Sequence, residues 1–183
     1  MTYQWLILLA VLLNGANIEG PYTCGLAVNG TDNEGFKKVQ VRESLLFTHT
    51  AEALKEYLND RELLMCYSST ARIKDQNYLV LRVNMMNHKI ADMYGMIELG
   101  SPVRVELLNG DRAFLETINT EVRSADVGID HIILCKIGKD DERTLLEGNV
   151  DKIGLLWNSG FEDYPIYNVD LIKDQYECLT KHI

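Results

Sequence analysis

The chain has 183 residues, of which 46% are hydrophobic and 25% charged, with only 3 Pro and 13 Gly. This composition predicts one folded domain and excludes collagen-like, low-complexity and wholly disordered chains. The 27 acidic residues outnumber the 18 Lys and Arg, which gives a formal net charge of −9 and a pI of about 4.9. Because nucleic-acid binding needs a basic face for the phosphates, the sequence disfavours nucleic acid as a partner.

The first twenty residues have the features of a secretory signal peptide. Nine unbroken apolar residues at 5–13 are too few to cross a bilayer, which takes about 17–25, but they suit the hydrophobic region of such a signal. No Lys or Arg precedes Lys37, so the usual positive charge before that region is reduced. We therefore expect a signal peptide over 1–20, no transmembrane span, and a secreted or periplasmic protein.

A leader segment is expected next, over residues 21–38. It is rich in Gly, Asn and Asp, which favour turns and mobile backbone. Cys24 follows the apolar run as a lipid-bearing cysteine would, but Pro21 and Thr23 do not fit the residues that normally precede such a cysteine. A lipid anchor at Cys24 is therefore the less favoured reading, and we expect a flexible, unmodified leader.

From Val39 to the C-terminus the sequence predicts a single β-rich domain, 39–183. Apolar residues recur at every second position, as with Leu79, Leu81 and Val83 on one face and Arg82 on the other. This two-residue period is typical of strands with one buried face. Residues 132–135 are apolar on both faces, which predicts a strand covered from both sides.

Turn residues separate the strands and predict three hairpins. Asn109-Gly110 supplies the positive-φ pair that a tight hairpin favours. Polar turns at 75–77 and 158–160 predict the other two.

Two segments have helical spacing instead, 50–58 and 170–179, with Thr50 and Asp170 as capping residues. The fold class expected is mainly β: an antiparallel β-sandwich of about seven to nine strands with two short peripheral helices.

The four cysteines are Cys24, Cys66, Cys135 and Cys178. In an exported protein they could form two disulfides in any of three connectivities, and a Cys24–Cys178 bond would join the two ends of the chain. Cys135 lies in the most apolar strand and is expected to be a small buried hydrophobe. The sequence has no Cys-x-x-Cys, and none of the cysteine spacings is a zinc pattern, so no metal and no cofactor are expected.

Among the titratable residues, Asp130 and His131 form the best candidate pair for acid–base chemistry. The chain has no Gly-x-Ser-x-Gly or His-Glu-x-x-His motif and no glycine-rich phosphate loop. A small hydrolase with a site around Asp130 and His131 is therefore the alternative function, and a non-enzymatic protein is the leading one.

Aromatic residues cluster around the hairpin at 158–160. Trp157 continues the inward face of its strand, whereas Phe161 and Tyr164 are the residues expected to be exposed. Exposed aromatic side chains at loop ends can anchor a protein partner or stack on a sugar. The sequence thus predicts an exported module that binds a protein or a glycan through loops at one end of the sandwich, with Phe161 and Tyr164 as binding residues.

The same region carries a family resemblance. Residues 150–157, then 160–164 and a closing helix, resemble the C-terminus of short exported β-rich proteins of Gram-negative gut bacteria; Gly100-Ser101 before a strand also fits. The resemblance covers the C-terminal half only. It implies an exported β-rich fold and no known activity, so it assigns no catalytic residue.

Overall fold

The computed structural model describes residues 22–31, 35–50 and 62–183. The expected signal peptide, and the expected helix at 50–58 apart from Thr50, lie outside these residues. Ten strands and three helices lie within them. The strands are β1 (Leu26–Thr31), β2 (Lys37–Val41), β3 (Ser44–His49), β4 (Leu64–Ile73), β5 (Gln76–Met85), β6 (Pro102–Leu107), β7 (Arg112–Ser124), β8 (Ile129–Lys136), β9 (Val150–Trp157) and β10 (Gly160–Pro165). The helices are α1 (His88–Tyr94), α2 (Lys139–Glu147) and α3 (Leu171–Thr180).

All ten strands belong to one antiparallel sheet, which confirms the mainly β, antiparallel fold class. The order is β1-β2-β4-β5-β8-β7-β6-β9-β10. Strand β3 also pairs with β4, along residues 64–68, whereas β2 pairs with residues 71–73 of the same strand. The described part of the chain thus has one strand more than the upper end of the expected range, and α1 and α2 are two helices that the sequence analysis did not predict.

The sheet curls so that its inner face encloses the core. Near the seam between β3 and β10, Tyr167 N donates to Leu46 O at 3.1 Å. The rings of Phe47 and Tyr164 stack with centroids 4.5 Å apart. No ladder joins these two strands within residues 22–31, 35–50 and 62–183, so the sheet stays open here.

The two-residue periodicity correctly predicts which side chains fill this core. On β5, Leu79, Leu81 and Val83 are fully buried. Each of the three expected hairpins is present, β4–β5, β6–β7 and β9–β10. The turn of β6–β7 has Gly110 at φ +88°, the left-handed region that favours glycine.

Strand β8 differs from the expectation that it is covered on both faces. His131, Ile133 and Cys135 are buried, whereas Ile132 is only half-buried. Arg82 and Glu121 lie opposite Ile132 on the neighbouring strands. Long charged side chains can shelter an apolar neighbour with their stems, so an apolar residue persists here without a second layer of structure.

The predicted C-terminal helix is confirmed as α3, but its start differs in detail. Asp170 makes no side-chain cap, and its carboxylate accepts a hydrogen bond from Asn149 Nδ2 at 2.6 Å. The helix is anchored on β4 by the fully buried Gln175, whose Nε2 donates to Ser68 O at 2.7 Å. Thr70 Oγ1 donates to the carbonyl of Gln175 at 2.9 Å. Buried hydrogen bonds therefore hold α3 against β4 together with the apolar stripe of the helix.

The segment expected to be a flexible leader is structured where it is described. Residues 26–31 form β1, which pairs with β2, and Cys24 is bonded to Cys178 of α3. The backbone hydrogen bonds between β1 and β2 and this covalent link explain the difference, because they hold in place a segment whose composition favours mobility. Of the helices in the described ranges, none has the length and apolar character to cross a membrane.

Candidate functional site

The two aromatic residues predicted to bind a ligand lie on opposite faces of β10. Phe161 is on the outer face and 43% exposed, as expected, whereas Tyr164 is 1% exposed in the core, so its expected exposure is wrong. The reason is strand geometry: side chains alternate between faces, so residues three apart point in opposite directions. The structure does not bring these two side chains together.

Phe161 lies against a glycine of the neighbouring strand. A Cβ added to Gly154 would stand 2.3 Å from Phe161 Cζ, so the ring occupies the space that a larger residue would fill. The Arg104 guanidinium lies over the ring, 4.7 Å from its centroid, in a cation–π arrangement. Arg104 Nη2 also donates to both carboxylate oxygens of Asp163 at 2.5 Å. The orientation of Phe161 is thereby fixed.

Two more apolar side chains adjoin this arrangement. Phe114, which is 57% exposed, lies directly opposite Arg104 in the β6–β7 pair. Leu156, which is 36% exposed, lies opposite Phe161 in the β9–β10 pair. We call Phe114, Leu156 and Phe161 the apolar surface. Sequence analysis missed Phe114 and Leu156, although the alternation along β7 and β9 places both on the outer face.

The loop 95–101 is held at the same end of the sheet, beside the β9–β10 turn. Met96 N donates to Asn158 Oδ1 at 2.7 Å, and Asn158 N donates to Met96 O at 3.0 Å. Gly95 has φ +74°, and a Cβ there would stand 2.7 Å from Asn158 Cβ. The loop leaves Met96 48% and Leu99 67% exposed. Loop and hairpin are therefore one connected end of the domain.

Charged side chains beside the apolar surface neutralise one another. Glu106 accepts from Lys152 Nζ and from Arg112 Nε, each at 3.0 Å. Lys152, then Arg112, hold the pKa of this carboxyl below its usual range. The outer face of β6, β7 and β9 thus carries both signs of charge around an apolar centre.

Asp130 and His131, the candidate acid–base pair, are not brought together. As neighbours on β8 they point to opposite faces. Asp130 accepts from Asn84 Nδ2 at 2.7 Å on the outer face. His131 is buried, with its ring 5.9 Å from that of Trp157 in an edge-on contact. Burial lowers the pKa of His131, which favours the neutral imidazole. The geometry gives no support to an Asp–His dyad here.

The cysteines divide into one disulfide-bonded pair and two buried thiols. Cys24–Cys178, one of the pairings left open by the sequence, is the disulfide. Cys66 and Cys135 are free and fully buried, which confirms the expectation for Cys135. Burial raises the pKa of Cys135 to about 12 and raises that of Cys66 as well. Neither thiol is therefore suited to act as a nucleophile at neutral pH.

One group of possible metal ligands escaped sequence analysis. The ligand atoms of Cys24, Cys178 and His182 all lie within 4.8 Å of one another. The signal was present in the sequence as Cys178-x-x-x-His182, because residues four apart share a face where the helical backbone continues, and Lys181 at the end of α3 keeps helical φ and ψ.

These features define a mainly β, antiparallel domain that is closed by one disulfide and carries an apolar surface on its outer face. No protein-family model, no curated protein and no solved structure matches the chain. The resemblance to exported proteins of gut bacteria thus remains a prediction.

Proposed function

We propose that this chain is an exported, non-enzymatic binding module that engages a protein partner through the apolar surface. The observation that carries the proposal is the arrangement of Phe114, Leu156 and Phe161 around the Arg104–Asp163 ion pair. Protein interfaces typically have an apolar centre rich in aromatic residues and Arg, with a polar rim. The charged residues around Glu106 provide such a rim.

A protein partner fits this surface better than a glycan does. Sugar rings stack on a free aromatic face, but the Arg104 guanidinium covers a face of the Phe161 ring. The ring edge rests on Gly154. What stays accessible is a set of apolar side chains from three strands on either side of Arg104, and such a surface suits a complementary protein surface.

The surface is also preorganised. Its side chains stand on paired strands, and the adjoining loop is bonded to Asn158 in both directions. Little conformational freedom remains to be lost on binding, and this entropy loss is one of the main terms that oppose association. The binding residues therefore need no rearrangement before a partner docks.

Export is supported by the covalent link between Cys24 and Cys178. Structural disulfides persist in oxidising compartments and are rare in a reducing cytosol. The apolar run at 5–13 fits a secretory signal, as the sequence predicts. Together these features favour a secreted or periplasmic protein.

The proposal can be tested by site-specific photo-crosslinking in the native host. A benzoylphenylalanine at position 114, 156 or 161 should crosslink one and the same protein, which mass spectrometry identifies. The matched control is position 127, because Val127 is 64% exposed but not part of the apolar surface. A product that forms equally from position 127, or none from the three positions, would contradict the proposal.

The identified protein then allows a direct binding measurement. Phe114→Ala together with Phe161→Ala should weaken its Kd at least about 30-fold, as expected for two interface residues that carry binding energy. Val127→Ala should leave the Kd unchanged. Retention of the wild-type chain on a glycan array, abolished by the same double substitution, would replace the protein partner with a glycan.

A further inference from the structure

Cys24, Cys178 and His182 form a group of potential metal ligands in which the two sulfur atoms are bonded to each other. His182 Nε2 lies 3.8 Å from Cys24 Sγ, and all three potential ligand atoms lie within 4.8 Å of one another. We propose that, once the disulfide is reduced, these residues form a binding site for a thiophilic divalent cation, of which Zn²⁺ is the best fit. This inference is independent of the apolar surface and its partner.

The spacing of two of the ligands follows from helix geometry. Cys178 lies in α3, and His182 lies in the turn that directly follows this helix. The backbone N of His182 donates to Leu179 O at 3.0 Å. Residues at i and i+4 on a helix share a face, and this spacing holds two zinc ligands in the His-Glu-x-x-His motif. Local structure therefore aims Cys178 and His182 at one point.

The third ligand is supplied by the N-terminal segment. Arg42 N donates to Gly25 O at 2.8 Å, and β1 pairs with β2, so backbone bonds hold the segment of Cys24 against β2. The buried side chains of β2 in turn pack with Leu179 of α3, which keeps Cys24 near this helix without help from the disulfide. The Cα atoms of Cys24 and Cys178 are 5.5 Å apart. After reduction the two thiols would therefore remain close neighbours.

The distances suit a tetrahedral ion. With Zn–S of about 2.3 Å and Zn–N of about 2.0 Å, a tetrahedral site separates sulfur from nitrogen by about 3.5 Å and two sulfurs by about 3.8 Å. The 3.8 Å between Cys24 Sγ and His182 Nε2 is thus within a few tenths of an ångström of the requirement. The two sulfurs must move apart from their bonded separation, and the Cys178 sulfur already lies within 4.8 Å of the histidine nitrogen.

The redox and proton balance is simple. A dithiol reductant transfers two electrons and two protons to the disulfide, which yields two thiols and a cyclic disulfide. When Zn²⁺ binds, both thiols lose their protons to solvent and the two thiolates neutralise the charge of the ion. His182 binds through its neutral Nε2, and water takes the fourth position on the exposed side, where Cys24 and His182 lie. Thiolate ligands select zinc over calcium or magnesium.

The test uses Co²⁺ as a spectroscopic probe on the full chain. The protein is reduced with a phosphine under argon, because a dithiol would compete for the metal, and is then titrated with Co²⁺. One equivalent should produce the visible bands of tetrahedral cobalt and a near-ultraviolet thiolate-to-cobalt charge transfer, both displaced by Zn²⁺. The oxidised chain should give neither signal.

His182→Ala identifies the site while leaving the disulfide cysteines in place. It should weaken cobalt binding at least about 100-fold, more than the 10–100-fold typical of a lost outer-shell partner. His88→Ala is the matched control, because His88 is exposed and lies at the start of α1. It should bind as the wild type does. Equal binding by His182→Ala, a signal in the oxidised chain, or no signal after reduction would each overturn the proposal.

Reduction itself could unfold the chain, and circular dichroism resolves that case. If the β-sheet signal is lost on reduction, Zn²⁺ should restore it in the wild type and in His88→Ala but not in His182→Ala, because metal binding energy is then folding energy. A reduced chain that stays unfolded with Zn²⁺ present would count against the site.

Discussion

Trp157 Nε1 donates a hydrogen bond to the hydroxyl of Tyr164 at 2.9 Å, and that hydroxyl in turn donates to Glu162 Oε2 at 2.7 Å. The chain of two bonds lies at the seam where β10 approaches β3, under the stacked ring of Phe47. Burial, followed by the neighbouring Glu162, raises the pKa of Tyr164, so its hydroxyl keeps the proton that it donates. Tyr164 is therefore a structural residue of the core.

Tyr164→Phe should destabilise the fold by about 1–3 kcal/mol, because it leaves the buried Trp157 N–H without its acceptor. The measurement is urea unfolding followed by Trp fluorescence. Tyr167→Phe is the control, since Tyr167 is 62% exposed, and should change stability by less than about 0.5 kcal/mol. Equal losses in both variants would contradict the structural role of Tyr164.

The inward position of Tyr164 was within reach of the sequence. Trp157 was correctly expected to point inward, and the two-residue turn pairs it with Gly160. Paired residues share a face, so Phe161 must point outward and Tyr164 inward. The exposure expected for Tyr164 is wrong because the alternation of β9 continues through the turn into β10.

Other features could not be read from local patterns. Hairpins, including the Arg104–Phe114 pair, and the α3 helix follow from residues close in sequence. Arg104 reaches Phe161, in contrast, only because the sheet order places β6 beside β9. The anchoring of Gln175 on Ser68 likewise joins residues 107 positions apart. Such contacts depend on topology, which two-residue and 3.6-residue periods do not encode.

The disulfide should contribute much of the stability of the described domain. Cys24 and Cys178 are 154 residues apart, and closing a loop of this length restricts the unfolded chain by about 5 kcal/mol on chain-entropy grounds. Cys24→Ala combined with Cys178→Ala should lower the urea midpoint accordingly. Phosphine should lower the wild-type midpoint to the same extent and leave the double variant unchanged. A wild-type midpoint insensitive to phosphine would refute this contribution.

His131 should make the stability depend on pH. Its folded pKa is lowered, first by burial and with Asp130 opposing, so the unfolded chain binds the proton more readily. The free energy of unfolding should therefore be highest above the ordinary histidine pKa of about 6.5 and fall as pH drops below it, toward the folded pKa.

His131→Gln should flatten this part of the pH profile, measured by urea unfolding from about pH 7.5 to 5, on either side of the ordinary histidine pKa. His88→Gln should leave the profile as in the wild type, because His88 is exposed. If the slope survives in His131→Gln, another group carries the pH dependence.

Two glycines separate the strain of a positive φ from that of a steric clash. Gly110 and Gly128 have φ of +88° and +79°, but a Cβ at Gly110 meets nothing within 4 Å, whereas one at Gly128 would stand 1.9 Å from the backbone oxygen of Met85. Gly110→Ala should therefore lower the free energy of unfolding only by the cost of a left-handed backbone, about 1–2 kcal/mol.

Gly128→Ala should incur the same backbone cost and should also force β5 and the 125–128 turn apart. In urea unfolding, the decrease in the free energy of unfolding should exceed that of Gly110→Ala by at least about 1 kcal/mol, as at other overpacked sites. Equal losses would mean that the turn at Gly128 yields freely, against the close approach of Gly128 to Met85.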